Sequence, residues 1–174
     1  MHVTIKSNII VAMTAAALGT TSVAAAPVAS PTPPPGRALL LIPLTLTKID
    51  DLRFGAVIPS PISGTVAINA VTGARSVAGG VTAVPSDVGQ RATFGGAGSP
   101  NQQVLVSVTA PAVLTSVAGD TLDVLALTLD GPALRSIDPV DRTFFFGVGG
   151  IIQIAADQPE GIYTSDYVVT ADYL

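Results

Sequence analysis

Four aspartates in two close pairs are the residues of this chain best placed to do chemistry: Asp120 and Asp123 in GDTLDV, and Asp138 and Asp141 in SIDPVDRT. Carboxylates at this spacing could give oxygens to a calcium ion. Asp beside Gly and Pro also caps turns by accepting from nearby backbone N–H groups, and that is the simpler use here. Little else reactive accompanies them. The chain has no cysteine and a single histidine, His2, so the thiolate nucleophile, the soft metal ligand and most of the usual acid–base chemistry are missing. The glycine-rich runs FGGAGSP and FGVGGI lack the Lys and hydroxyl of a phosphate loop and have no predicted helix after them. They read as a turn and a bulge-prone strand end. The expectation is a non-enzymatic protein with no catalytic residue, no cofactor and no metal.

Three regions must position whatever the chain does. The first, residues 1–25, has the order of a secretory signal peptide: MHVTIKSN carries His2 and Lys6, IIVAMTAAAL is apolar, and GTTSVAAAP ends in small residues. The apolar run falls well short of the roughly 20 residues a membrane span needs. Its removal would take away the one histidine, leaving an exported chain of the periplasm, cell surface or extracellular space with no transmembrane span. The second region, residues 26–37, is a proline-rich arm or linker, because Pro favours extended conformation and cannot donate to a ladder. The third, residues 38–174, is one domain.

That domain reads as all-β. The chain is 48% hydrophobic and 11% charged with 17 Gly and 14 Pro, a balance toward strands and turns that excludes disorder. A net charge of −4 argues against a nucleic-acid partner, which would demand clustered Lys and Arg. Strands are predicted at Leu39–Thr47, Gly64–Val71, Val77–Val84, Ala92–Gly95, Gln103–Thr109, Leu122–Leu129, Thr143–Ile154 with a break at Gly149–Gly150, and Tyr163–Tyr173. Recurrent short strands without a 3.6-residue period predict an immunoglobulin-like antiparallel β-sandwich of about seven to nine strands, with a small β-barrel as the alternative. Val66, Ile68, Val104, Val106, Val108, Leu122, Val124 and Leu127, with a bulge in the last of these strands, are core candidates, together with Phe54, Phe94, Phe144 and Phe146. Pro43 interrupts ALLLIPLTLT, so the first strand must bend between sheets or lie on an edge.

The last stretch, YTSDYVVTADYL, alternates. Tyr163, Tyr167, Val169, Ala171 and Tyr173 share one face; Thr164, Asp166, Thr170 and Asp172 share the other, with Val168 out of phase. Period-2 alternation makes a half-buried strand, and a terminal strand is free to pair with an available edge.

Two resemblances follow from these residues. LTKIDDLRFGAV, ATFGG and FFFGVGGIIQIAADQPEGIYTSDYVVTADY, in a chain without cysteine, resemble a bacterial family catalogued as domain of unknown function 4402, whose name implies no activity. The C-terminus alone also resembles chaperone–usher pilins and spore-coat-U-like secreted proteins, which tend to have a penultimate Tyr, here Tyr173, and a Gly fourteen positions from the end, here Gly161. That second resemblance implies a structural subunit of a surface fibre or coat, with a periplasmic chaperone and neighbouring copies as partners. It implies pairing through Gly161, Tyr163, Tyr167, Val169, Ala171 and Tyr173, and donation of Ala38, Leu40, Ile42, Leu44 and Leu46 to a neighbour. The pilin cysteine pair is absent, and Pro43 interrupts the donor. The alternative is a self-contained binding module for glycan or protein, contacting its ligand through loops that carry Asn101, Gln102, Gln103 and Arg142.

Overall fold

Alternating apolar residues between Gly, Pro and Asp punctuation build thirteen strands and no helix in the computed structural model, which describes Thr32 and residues 35–174. The predicted signal segment and most of the proline-rich arm lie outside the described residues. Leu39–Leu174 forms one compact unit. Its strands are β1 (Thr45–Asp50), β2 (Val57–Ile58), β3 (Gly64–Ile68), β4 (Arg75–Gly79), β5 (Thr82–Ala83), β6 (Ala92–Ala97), β7 (Gln103–Thr109), β8 (Val113–Ser116), β9 (Thr121–Leu129), β10 (Leu134–Ser136), β11 (Thr143–Ile154), β12 (Tyr163–Thr164) and β13 (Val168–Tyr173).

The architecture is an antiparallel sandwich. One sheet runs β1-β6-β11-β9-β8-β12, with β3 and β4 added beside β11; the other runs β10-β7-β13, and β2 and β5 form a small separate ribbon. The twelve-residue β11 is the hub. Thr143–Val148 pairs with β6, Gly150–Ile154 pairs with β3, and Val148–Gln153 pairs with β9. The exchange of partner from β6 to β3 falls at Gly149. A side chain there would collide with the Ile68 carbonyl and meet Ala70 N at 2.5 Å, so glycine is what lets β3 approach. The strand does not break at Gly149–Gly150; the glycines change its neighbour instead. In β9 the register shifts opposite Ile151 and Ile152, which is the bulge the sequence pattern predicts.

Two cores lie against the long sheet. Ala92, Phe94, Val104, Val106, Ile137, Phe144, Phe146 and Val148 form the first, between the two sheets, with Phe94 stacked on Phe146 at 5.2 Å. Val66, Val81, Leu122, Ile152 and Ile154 form the second. A fully buried Val or Phe in either contributes about 1.5–3 kcal/mol.

Both terminal strands differ from expectation. The first begins at Thr45, after Pro43, and lies on an edge beside β6. Leu39, Leu40, Leu41 and Ile42 belong to no strand. The last is not one strand from Tyr163 to Tyr173. Tyr163–Thr164 pairs with β8 in the long sheet, and Val168–Tyr173 pairs with β7 in the other. Tyr163, Tyr167, Val169, Ala171 and Tyr173 are half-buried, whereas Thr164, Ser165 and Asp166 between the two strands are all exposed, so the chain crosses from one sheet to the other on the surface.

Candidate strand-docking site

The C-terminal strand has one satisfied edge and one open edge. β13 pairs with β7 in a regular register, Val168 opposite Thr109 through Tyr173 opposite Val104. Leu174 N–H donates to the Gln103 carbonyl at 3.1 Å, and Val106 N–H faces the other way, to Ala133 at 2.9 Å. Because bonded pairs alternate along an antiparallel ladder, Val168, Thr170 and Asp172 turn their backbone groups to β7. Val169, Ala171 and Tyr173 turn theirs to the free edge, while their side chains pack on the first core.

Beside that edge lies a groove of about 490 Å³. Leu46, Lys48, Asp51 and Leu52 border it on the β1 side, Ser165, Asp166, Tyr167 and Val169 on the β13 side, and Phe94 lines its floor. Lys48 pairs with Asp51 at 2.5 Å, and the hydrogen bond and charge of Asp51 raise the lysine above its ordinary value. Tyr167 meets Phe94 edge-on at 6.4 Å. Its phenol is pushed up by burial and, secondarily, by the Asp51 charge, and its Oη is enclosed without a hydrogen-bond partner. Leu52, Ser165 and Tyr167 also line a larger cavity of about 780 Å³ under residues 158–165, so the trough continues toward the second core.

At the other end of β13 the chain is tied down. Ser99 N–H donates to Tyr173 Oη at 2.6 Å, Tyr173 O–H donates to the Ile42 carbonyl at 3.0 Å, and Ile42 N–H donates to Ser99 Oγ at 2.9 Å. Gly98 makes room for this clasp: a Cβ there would collide with Tyr173 Oη and come within 2.9 Å of Leu44 Cδ1. Leu44 and Leu46 pack on the first core in their own chain. Upstream of the clasp Leu39 and Leu40 are 73% and 87% exposed, and Ala38 is exposed as well.

The family described as domain of unknown function (DUF4402) matches residues 44–173. The chain belongs to this family. Searches of the curated proteins and of the solved structures found no match. The DUF4402 match runs from Leu44 to Tyr173, so the groove and the open edge lie within the family's domain while Ala38–Ile42 precedes it.

The structure brings together only part of what the sequence grouped. Tyr167, Val169, Ala171 and Tyr173 share the C-terminal strand region. Gly161 is exposed on the preceding loop, and Tyr163 packs on the second core, donating its hydroxyl to the Pro159 carbonyl at 2.7 Å. Of the donor candidates, Leu44 and Leu46 are used in their own body, and Ala38, Leu40 and Ile42 are exposed. The loops proposed for ligand contact do meet, but through their backbones: Gly98 N–H bonds Arg142, Asn101 N–H bonds Ile137, and Ile137 N–H bonds Gln102. One aspartate of each pair accepts or closes a turn, while Asp123 lies within β9. Asp138 accepts from Val140 N–H and Asp141 N–H at 2.7 and 2.8 Å, with the Asp141 bond the larger cause of its lowered pKa, and Asp120 closes a turn with Ser116. Ser99 and Gly98 escaped sequence reasoning, since nothing local in GGAGSP signals a partner 74 residues away. Among the described residues no helix is long and apolar enough to cross a membrane.

Proposed function

We propose that this protein is an exported, non-enzymatic structural subunit of a surface assembly, joined to its neighbours by β-strand addition at the free edge of β13. The observation that carries this reading is a regular six-residue terminal strand paired on one side only and bordering a groove whose walls mix Leu46, Leu52, Phe94 and Val169 with Lys48, Asp51 and Asp166. An incoming strand would take main-chain bonds from Val169, Ala171 and Tyr173 and seat alternate side chains in the groove, the standard division between affinity and register in strand addition. The chain supplies a strand of suitable chemistry, Ala38–Ile42, apolar and outside any sheet. Arg37 at its start complements a groove wall that carries Asp51 and Asp166 against Lys48. A chaperone that occupies the same edge before assembly fits the reading.

Deletion of Ala38–Leu41, which spares the Ile42 clasp, tests it. Light scattering of the purified chain is expected to show oligomers and the deleted chain to remain monomeric, with the same melting temperature. If oligomer size is unchanged by the deletion, donation through this segment is wrong.

A further inference from the structure

The two cores are closed in different ways. The first lies between two sheets, with Val104 and Val106 of β7 buried together with Phe94, Phe144 and Phe146 of the long sheet. Among the described residues none from β7, β10 or β13 belongs to the second core. There Phe54 and Val57 pack on the long sheet instead, and a cavity of about 780 Å³ remains beside them. Its floor is apolar: Leu114 from β8, Leu122, Val124 and Leu127 from β9, and Ile152 and Ile154 from β11. Protein interiors are otherwise close-packed, and a space of this size falls within the roughly 300–1,000 Å³ of small-molecule sites.

The walls decide what kind of molecule fits. β9 and β11 are paired on both sides, so the floor offers side chains and no free backbone group. A polypeptide strand laid on it would bury its own N–H and C=O groups unpaired. Arg53, the one cation among the described residues that line the cavity, pairs with Asp87 at 3.1 Å. Arg75 beside that wall donates to the Ala56, Val84 and Asp87 carbonyls, and Glu160 adds a negative charge at the rim. An anionic head would therefore meet repulsion and no free cation. The Gln158 amide donates to the Thr121 carbonyl at 3.1 Å and to Tyr163 Oη at 3.0 Å, and Tyr163 O–H donates to the Pro159 carbonyl at 2.7 Å, so these polar groups already have partners within the chain. Independently of strand addition, we infer that this cavity binds a neutral, mainly apolar small molecule, such as a long-chain alcohol, seated on the floor made by β8, β9 and β11.

Titration of the purified chain with Nile red, a neutral apolar dye, tests this. Dye fluorescence is expected to rise and saturate at one dye per chain, and dodecanol is expected to displace the dye while dodecanoate at the same concentration does not. Val124→Phe on β9 and Leu114→Phe on β8 fill the cavity from two different strands. Both residues are half-buried beside open space, so the variants are expected to keep the melting temperature and to weaken dye binding about tenfold or more. Leu125→Ser, in β9 but away from the cavity and 52% exposed, is expected to bind as the unaltered chain does. Absence of saturable binding, binding unchanged in whichever filling variant keeps its fold, or displacement by dodecanoate as strong as by dodecanol overturns the inference. Displacement by an equal concentration of a peptide of residues 37–46 overturns it too, because the cavity would then take a strand.

Discussion

β1 and β13 face each other across the same groove, each is six residues long, and each has only one partner strand, yet their exposed edges differ. β1 is irregular: its register with β6 slips between Lys48 and Asp50, and Lys48, Asp50 and Asp51 crowd the slip. Bulges and charges are how sheets protect an edge from unwanted pairing. β13 keeps a perfect register over its whole length and presents the backbone of Val169, Ala171 and Tyr173 with no charge pointing inward. The other margins are short or interrupted, with β10 and β12 at three and two residues and β4 ending in Gly79 at φ 74°. Only β13 among these has the length and flatness to template another strand. The difference is the reason the proposed docking is assigned to the C-terminal strand and not to β1.

The sharpest way to break that comparison uses neighbouring residues of β13. Thr170 turns its N–H to β7, so Thr170→Pro is expected to remove a ladder bond and cost about 2–4 kcal/mol in chemical denaturation. Ala171 turns its N–H outward, and Ala171→Pro is expected to cost less than about 1 kcal/mol while abolishing assembly. Equal destabilisation by the two would mean that the assignment of the free edge is wrong.

On the β1 side, Leu46 packs on the first core and Leu40 is exposed. Leu46→Ala is expected to lower stability by about 2 kcal/mol, near the small end of such truncations because the residue is only half-buried. Leu40→Ala is expected to stay within about 0.5 kcal/mol and to weaken assembly alone. Comparable melting temperatures for the two variants would contradict the division between packed strand and free arm.

The smallest effect concerns Tyr167, at the junction of groove and cavity. Its enclosed hydroxyl lacks a partner, so Tyr167→Phe is expected to leave stability unchanged or raise it by up to about 1 kcal/mol. Burial raises the folded-state pKa of this phenol. The neutral form therefore contributes its full stability below the ordinary tyrosine value of about 10, and that contribution is lost as pH rises through the folded value. Melting curves above pH 10 should fall more steeply for the unaltered chain than for the phenylalanine variant.

Much of the body was legible because strand periodicity is local. Gln103–Thr109 occurs with the bounds its alternation predicts, Val66, Ile68, Val104 and Val106 are buried as their phase requires, and the phase of Tyr167, Val169, Ala171 and Tyr173 holds in space. The site was legible only in part. Tyr163 and Tyr167 share one phase of the sequence although the chain passes from one sheet to the other between them, and period 2 carries no information about which strand lies alongside. The edge position that Pro43 predicts for ALLLIPLTLT holds, but the strand expected over Leu39–Thr47 begins only at Thr45, and its apolar first half is exposed while Leu44 and Leu46 pack on the first core. Three short strands, β2, β8 and β10, were too brief to leave a pattern, and the Gly149–Gly150 pair was read as an interruption where it is a change of partner.

The order of amino acids by itself determined that this is an all-β body, which side of each strand faces inward, and that no thiol is present to react. Which margin remains open was decided only when distant segments met. Whether the backbone of Thr170 is satisfied depends on β7, more than sixty residues earlier, and whether the Tyr173 hydroxyl finds partners depends on Ile42, 131 residues away. Side-chain alternation is written residue by residue, whereas an unpaired edge is a property of the completed sheet.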